Sequence, residues 1–176
     1  MEKYVALLRA VNVAGKNKVN MKDLKNALEK EGFQNVITYI QSGNLVLDSI
    51  LQSESEVAVE ITEVINMRFN LNIDVFVFSA QNYNQIINNN PFPNETIGKE
   101  ERWMAAFYKE DIQIPKQKNT QAEVMAIGRV LYIHIFSGQI HTLKLPAFLG
   151  EYKKTITTTR NWRTTLQLQT ILNSQE

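Results

Sequence analysis

The feature that most constrains this chain is the run Lys3–Val13, KYVALLRAVNV, in which both faces of an extended strand are apolar. Val5, Leu7, Val11 and Val13 share one side of a period-two pattern, and Tyr4, Ala6, Leu8 and Ala10 share the other. A strand apolar on both faces predicts a central position in a sheet covered on at least one side. Arg9 interrupts the first face and must be paired or reach water, because an unpaired buried charge is very unfavourable. Ala14, Gly15, Lys16, Asn17 and Lys18 follow as a short basic loop, with Gly15 permitting a tight reversal. Asn20 is the expected N-cap of the next helix, with Asp23 in the reciprocal capping position.

The helix predicted over residues 21–31 carries Met21, Leu24 and Leu28 on one stripe and stops at Gly32. Strands are predicted over 36–41 and 45–48, joined by the hairpin signal Ser42-Gly43-Asn44. Ser53 and Glu56 form a capping box that opens a helix with the stripe Val57, Ile61, Val64, Ile65 and Phe69. A β-branched and aromatic strand follows over 73–78. The order β-α-β-β-α-β is ferredoxin-like, a four-stranded antiparallel sheet with two helices on one face.

The second half is less regular. Ser79 should cap a short helix carrying Tyr83, Ile86 and Ile87, ended by Asn90-Pro91-Phe92-Pro93, and 94–101 reads as a linker. Beyond it come a strand over 103–108, a polar loop over 111–121, and a hairpin of 123–127 and 130–136 around Gly128-Arg129. A short helix within 141–150, an extended piece about Ile156 and a final helix capped by Thr159 or Asn161 complete the chain. The fold class expected is therefore α+β: a ferredoxin-like unit over 1–79, a helix and linker over 80–101, and a second, smaller α+β unit over 102–176. That second unit has the element order of a degraded copy of the first, without sequence self-similarity.

Three segments resemble one known family: ALLRAVNVAGKNKVNM at Ala6–Met21, TYIQSGNLVL at Thr38–Leu47 and TTRNWRTTLQL at Thr158–Leu168. They look like the signature segments of the bacterial family designated domain of unknown function 1697, in the same order and at similar spacing. The resemblance implies an α+β protein with a ferredoxin-like first part, and brings no activity, substrate or catalytic residue. This chain departs from the family pattern at Ala10 and Ala14, where glycine is usual, at Asn20, where proline is usual, and at Arg163, where asparagine is usual.

Composition excludes several function classes. At 176 residues, with 44% hydrophobic and 21% charged residues, the chain has ample length for a core. No apolar run is long enough to span a membrane, and no signal peptide is evident, so a cytoplasmic location is expected. Without cysteine there is no disulfide, thiolate site or cysteine nucleophile. No HxxxH spacing accompanies His134 and His141, so no metal is expected, and His134 within an apolar strand reads as a satisfied histidine. No cofactor is expected: the loop at Gly15 lacks the GxxxxGK[ST] phosphate-binding pattern. Ser42 lies in no GxSxG elbow. Paired carboxylates of the glycosidase type are absent as well.

Charge layout points elsewhere. Lys3, Arg9, Lys16, Lys18 and Lys22 stand in a stretch without acids, as do Lys153, Lys154, Arg160 and Arg163 near the other end. Candidate ligand-binding residues are Arg9, Asn12, Lys16, Asn17 and Lys18 in the first stretch, Gln41, Ser42 and Asn44 in the hairpin turn, and Arg160 and Asn161 before the last helix. Each has a plainer reading: solvated lysines, hairpin-turn chemistry and a helix cap. The expected partner is a phosphate-bearing small molecule or nucleic acid, with no membrane contact. An RNA-recognition sheet is disfavoured because Leu45–Asp48 carries no aromatic residue. An enzyme acting on a phosphorylated metabolite, with Arg9 or Arg160 stabilising charge, and a protein-interaction domain are the alternatives. Oligomeric state is open.

Overall fold

A computed structural model describes residues 1–92 and 101–174 and divides the chain into two compact units, Met1–Gln85 with Gln167–Glu176, and Ile86–Leu166. In the first unit the chain runs β1 (Glu2–Leu8), α1 (Met21–Lys30), β2 (Gln34–Tyr39), β3 (Asn44–Ser49), α2 (Glu54–Phe69) and β4 (Val75–Ser79), and α3 (Ala80–Asn88) begins in it. The strands form one antiparallel sheet in the order β2-β3-β1-β4, the ferredoxin-like arrangement expected from the sequence.

The two-sided apolar pattern of the opening run explains its central place. Tyr4, Ala6 and Leu8 of β1 join Leu45, Leu47, Val75 and Val77 in a core closed by Met21, Leu24 and Leu28 of α1 and Val57, Ile61, Val64 and Ile65 of α2. The opposite face, Val5, Leu7, Val46, Phe76 and Phe78, is just as fully buried. Burial and a bond to Glu2 push the Tyr4 hydroxyl up to about 12, and it also donates to the Leu51 carbonyl at 2.9 Å. Ser53 caps α2 as predicted, accepting from the Glu56 amide and donating to its carboxylate.

The strand is shorter than its apolar pattern. It ends at Leu8: the Arg9 amide still bonds the Asp74 carbonyl in the β1–β4 register, but Ala10 then takes a left-handed conformation and turns the chain away. Val11 still reaches the core, whereas Val13, placed on the same face by the sequence pattern, is 55% exposed. Period-two reasoning fails at 9–13 since turn geometry, not alternation, decides where those side chains point.

The second unit contains β5 (Arg102–Tyr108), β6 (Gln117–Lys118), β7 (Ala122–Ile127), β8 (Val130–Ile135), α4 (Pro146–Leu149) and β9 (Thr157–Asn161), and its last helix, α5 (Trp162–Asn173), begins in it. Its antiparallel sheet has the order β6-β7-β8-β5-β9. Setting aside the two-residue β6, strands β7-β8-β5-β9 repeat the order β2-β3-β1-β4 of the first unit. Each sheet's last strand runs directly into a helix, β4 into α3 and β9 into α5. Where the first unit has α1, the second has the loop 109–121, whose Ile112 and Ile114 pack on Ala122, Val124, Leu131 and Ile133. Pro115 and the polar composition of that loop prevent a helix there.

Three further expectations are corrected. The loop predicted over 111–121 contains β6, paired with Glu123 and Val124. The helix predicted within 141–150 is only one turn, α4, continued by a 3-10 turn over Gly150–Lys154. Asn161 is the last residue of β9, paired with Met104, and no side-chain cap from it opens α5; its carbonyl instead accepts from the Thr165 hydroxyl at 3.2 Å. The predicted linker, apart from Glu101, lies outside the described residues.

Candidate functional site

Two loops of the first unit are joined by one side chain. Asn12 Nδ2 donates to the Val19 carbonyl at 2.9 Å and to the Gln41 carbonyl at 2.8 Å, while Asn12 Oδ1 accepts from the Val19 amide at 2.9 Å. The Asn12 amide group thus imitates a strand partner for Val19 and at the same time ties the 9–20 loop to the hairpin turn after β2. Asn17 adds a second internal tie, donating from Nδ2 to the Ala10 carbonyl at 3.0 Å, and its own carbonyl accepts from the Asn12 amide.

Both loops are built from unusual backbone. Ala10, Asn12, Ala14, Asn17 and Ile40 all have φ between 47° and 55°, and among the described non-glycine residues only Asn35 and Asn70 share that region. Asparagine tolerates it; alanine, and above all β-branched isoleucine, do not. Ala10 and Ala14 thus hold, with a Cβ in place, a left-handed backbone that glycine adopts more readily. Gly43, in the turn, has φ of 79°, and a Cβ there would stand 2.7 Å from the Leu8 Cβ. Its carbonyl accepts from the Leu8 amide at 2.8 Å, which fixes the turn against the end of β1.

Beside the 9–20 loop lies an open depression of about 580 Å³ lined by Asn12, Gly15, Lys18, Val19, Asn20, Asp23 and Phe69. Asn20 caps α1 as predicted, its Oδ1 accepting from the Lys22 and Asp23 amides at 3.0 and 3.1 Å. Those helix-end donors are therefore already satisfied, and the available positive charge comes from side chains. Lys16 and Lys18 are exposed and form no ion pair with any described residue. The Asp23 carboxylate, half-buried at the depression, accepts no hydrogen bond from the described residues. Phe69 is half-buried, with the Arg68 guanidinium 5.9 Å from its ring centre. Neither Asp23 nor Phe69 was legible as a lining residue: one reads as a capping partner, the other as the end of an apolar stripe.

The other predicted residues take quieter positions. Arg9 is half-exposed and lies 3.8 Å from the Asp74 carboxylate. Asn44 is fully buried and donates to the Tyr39 carbonyl and the Ser42 hydroxyl, both at 3.0 Å, which is turn chemistry. In the second unit, Arg160 is 8% exposed; its Nη1 donates to the Thr158 hydroxyl at 2.7 Å and the Thr159 carbonyl at 3.0 Å. Its guanidinium thus braces the strand that carries it. His134 has a carboxylate at each ring nitrogen, Glu123 at 3.0 Å and Glu101 at 3.2 Å, and stacks on Trp103. No group of histidine, aspartate and glutamate suited to a metal ion occurs among the described residues. Nor is any described helix long and apolar enough to cross a membrane.

Fold and loops together define an α+β protein with a ferredoxin-like first unit, a second unit of the same strand order, and a braced polar loop at the end of its central strand. The chain belongs to the DUF1697 family of proteins of unknown function, whose family model matches residues 1–132. It is also similar to a solved structure, that of the conserved bacterial protein SP0830 from Streptococcus pneumoniae. The two share 21% sequence identity with a TM-score of 0.72, over 97% of this chain and 98% of that one, a likeness of fold. No functionally curated protein matches the chain.

Proposed function

We propose that this protein is an anion-binding module whose site is the 9–20 loop, with Lys16 and Lys18 contacting a phosphate-bearing small molecule or nucleic acid. The observation that carries this reading is the strained loop itself. Left-handed alanine and isoleucine residues persist only where the surroundings over-determine them, and such residues gather at ligand sites. Here the strained backbone is pinned by Asn12 and presents two lysines without an ion-pair partner among the described residues, beside a depression.

Thermal unfolding against nucleotides, sugar phosphates, short RNA and short DNA, at low and moderate salt, tests the proposal. A ligand at 100 times its dissociation constant adds about 2.7 kcal/mol of stability. The expected result is a rise in Tm with at least one phosphate ligand, lost in the Lys16→Ala, Lys18→Ala double variant. No shift with any member of the panel overturns the reading.

A further inference from the structure

We infer that, granted the anion site proposed above, the depression beside the 9–20 loop selects a hydroxylated phosphomonoester of sugar size over inorganic phosphate, polyphosphates and nucleic acid. The inference rests on Asp23. A site for a bare or multiply charged anion has no use for a carboxylate, which repels it, yet Asp23 lines the same depression as Lys18. Its oxygens accept nothing from the described residues: Asn20 Oδ1 takes the Lys22 and Asp23 amides, but the reciprocal bond from the Asn20 amide to the Asp23 carboxylate is not made. A half-buried carboxylate in that state is a ready acceptor for hydroxyl donors.

The remaining wall agrees. Phe69 offers a partly exposed aromatic surface, which suits the C–H face of a sugar ring better than it suits a phosphate. Cation and carboxylate on one depression match a ligand with a negative charge at one end and hydroxyl donors at the other. A sugar phosphate has that form, whereas a nucleic acid strand would carry a run of phosphates past Asp23. The volume of about 580 Å³ falls within the range of small-molecule pockets. The Lys22 and Asp23 amides of α1 play no part, since Asn20 already occupies them.

Calorimetric titration of the full chain with ribose 5-phosphate, inorganic phosphate, pyrophosphate and a short RNA separates the possibilities. Ribose 5-phosphate is expected to bind tightest, and Asp23→Asn to weaken it about tenfold, the loss of one hydrogen bond to a charged acceptor. The same substitution leaves inorganic phosphate unchanged or tighter, and Lys18→Ala weakens both. Thermal unfolding of Asp23→Asn without ligand confirms that the variant is folded. Inorganic phosphate, pyrophosphate or RNA binding as tightly as the sugar phosphate, or Asp23→Asn weakening all anions alike, overturns this inference and leaves the anion site standing. Failure of every anion to bind removes both.

Discussion

Replacing Asn12 with alanine tests whether the two loops of the first unit are one structure. The substitution removes three hydrogen bonds, to the Val19 amide, the Val19 carbonyl and the Gln41 carbonyl. At about 1 kcal/mol net for each, their loss costs about 3 kcal/mol. Residue 12 has φ of 55°, where alanine is worse than asparagine by roughly 1 kcal/mol. The loop is only partly buried, so water recovers some of this, and a destabilisation of about 2–4 kcal/mol in urea unfolding is expected. Hydrogen exchange gives the local readout: the Val19 amide should lose protection in Asn12→Ala. Asn12→Asp should keep that protection, because the Oδ1 acceptor remains, while its carboxylate now faces the Val19 and Gln41 carbonyls and the tie between the loops breaks. An Asn12→Ala protein within about 0.5 kcal/mol of the parent, with Val19 equally protected, would refute the claim that this side chain organises the site.

Two other substitutions probe the same backbone. Ala14→Gly should stabilise the protein by about 0.5–1 kcal/mol, because relief of a left-handed alanine exceeds the extra entropy that glycine gives the unfolded chain; the midpoint of urea unfolding at constant slope measures it. Gly43→Ala should destabilise by about 2–4 kcal/mol, since it combines an unfavourable φ with a Cβ driven into Leu8. A far smaller loss would mean that the turn can move away from β1.

Much of the first unit was legible because its signals are local and agree with one another. The alternation in β1, the stripe of α2 and the Ser53 cap each specify one element, and their order leaves the ferredoxin-like sheet as the consistent assembly. The end of β1 was not legible. Val11 and Val13 continue the apolar alternation, and nothing in their identity records that Ala10 and Asn12 take left-handed backbone. In the second unit the strand order was foreshadowed by the element order alone. Its last helix was expected as well and stands as α5; what was not legible is that the core which α1 closes in the first unit is closed there by Ile112 and Ile114 on a loop. Two isoleucines flanking one polar residue carry no helical period to detect.

The candidate site shows a different limit. Lys16 and Lys18 could be named from charge, Asn20 from capping chemistry and Asn12 as a candidate binding residue, but the identity of Asn12 says nothing of the bracing role it takes. Its importance comes from a contact 29 residues away in sequence, to a main-chain carbonyl that any residue at position 41 would supply. Such a bond leaves no trace in the identity of its acceptor. Positions 10 and 14 hide the backbone requirement in the same way: both alanines take a left-handed φ that glycine adopts more readily, and their identity gives no sign of it. At roughly 1–2 kcal/mol for each residue, that conformation is too unfavourable to be a by-product of connecting β1 to α1, since a loop of twelve residues has relaxed alternatives. Something selects the strained form, and the shape it gives the lysine-bearing loop is the physical consequence on which selection can act.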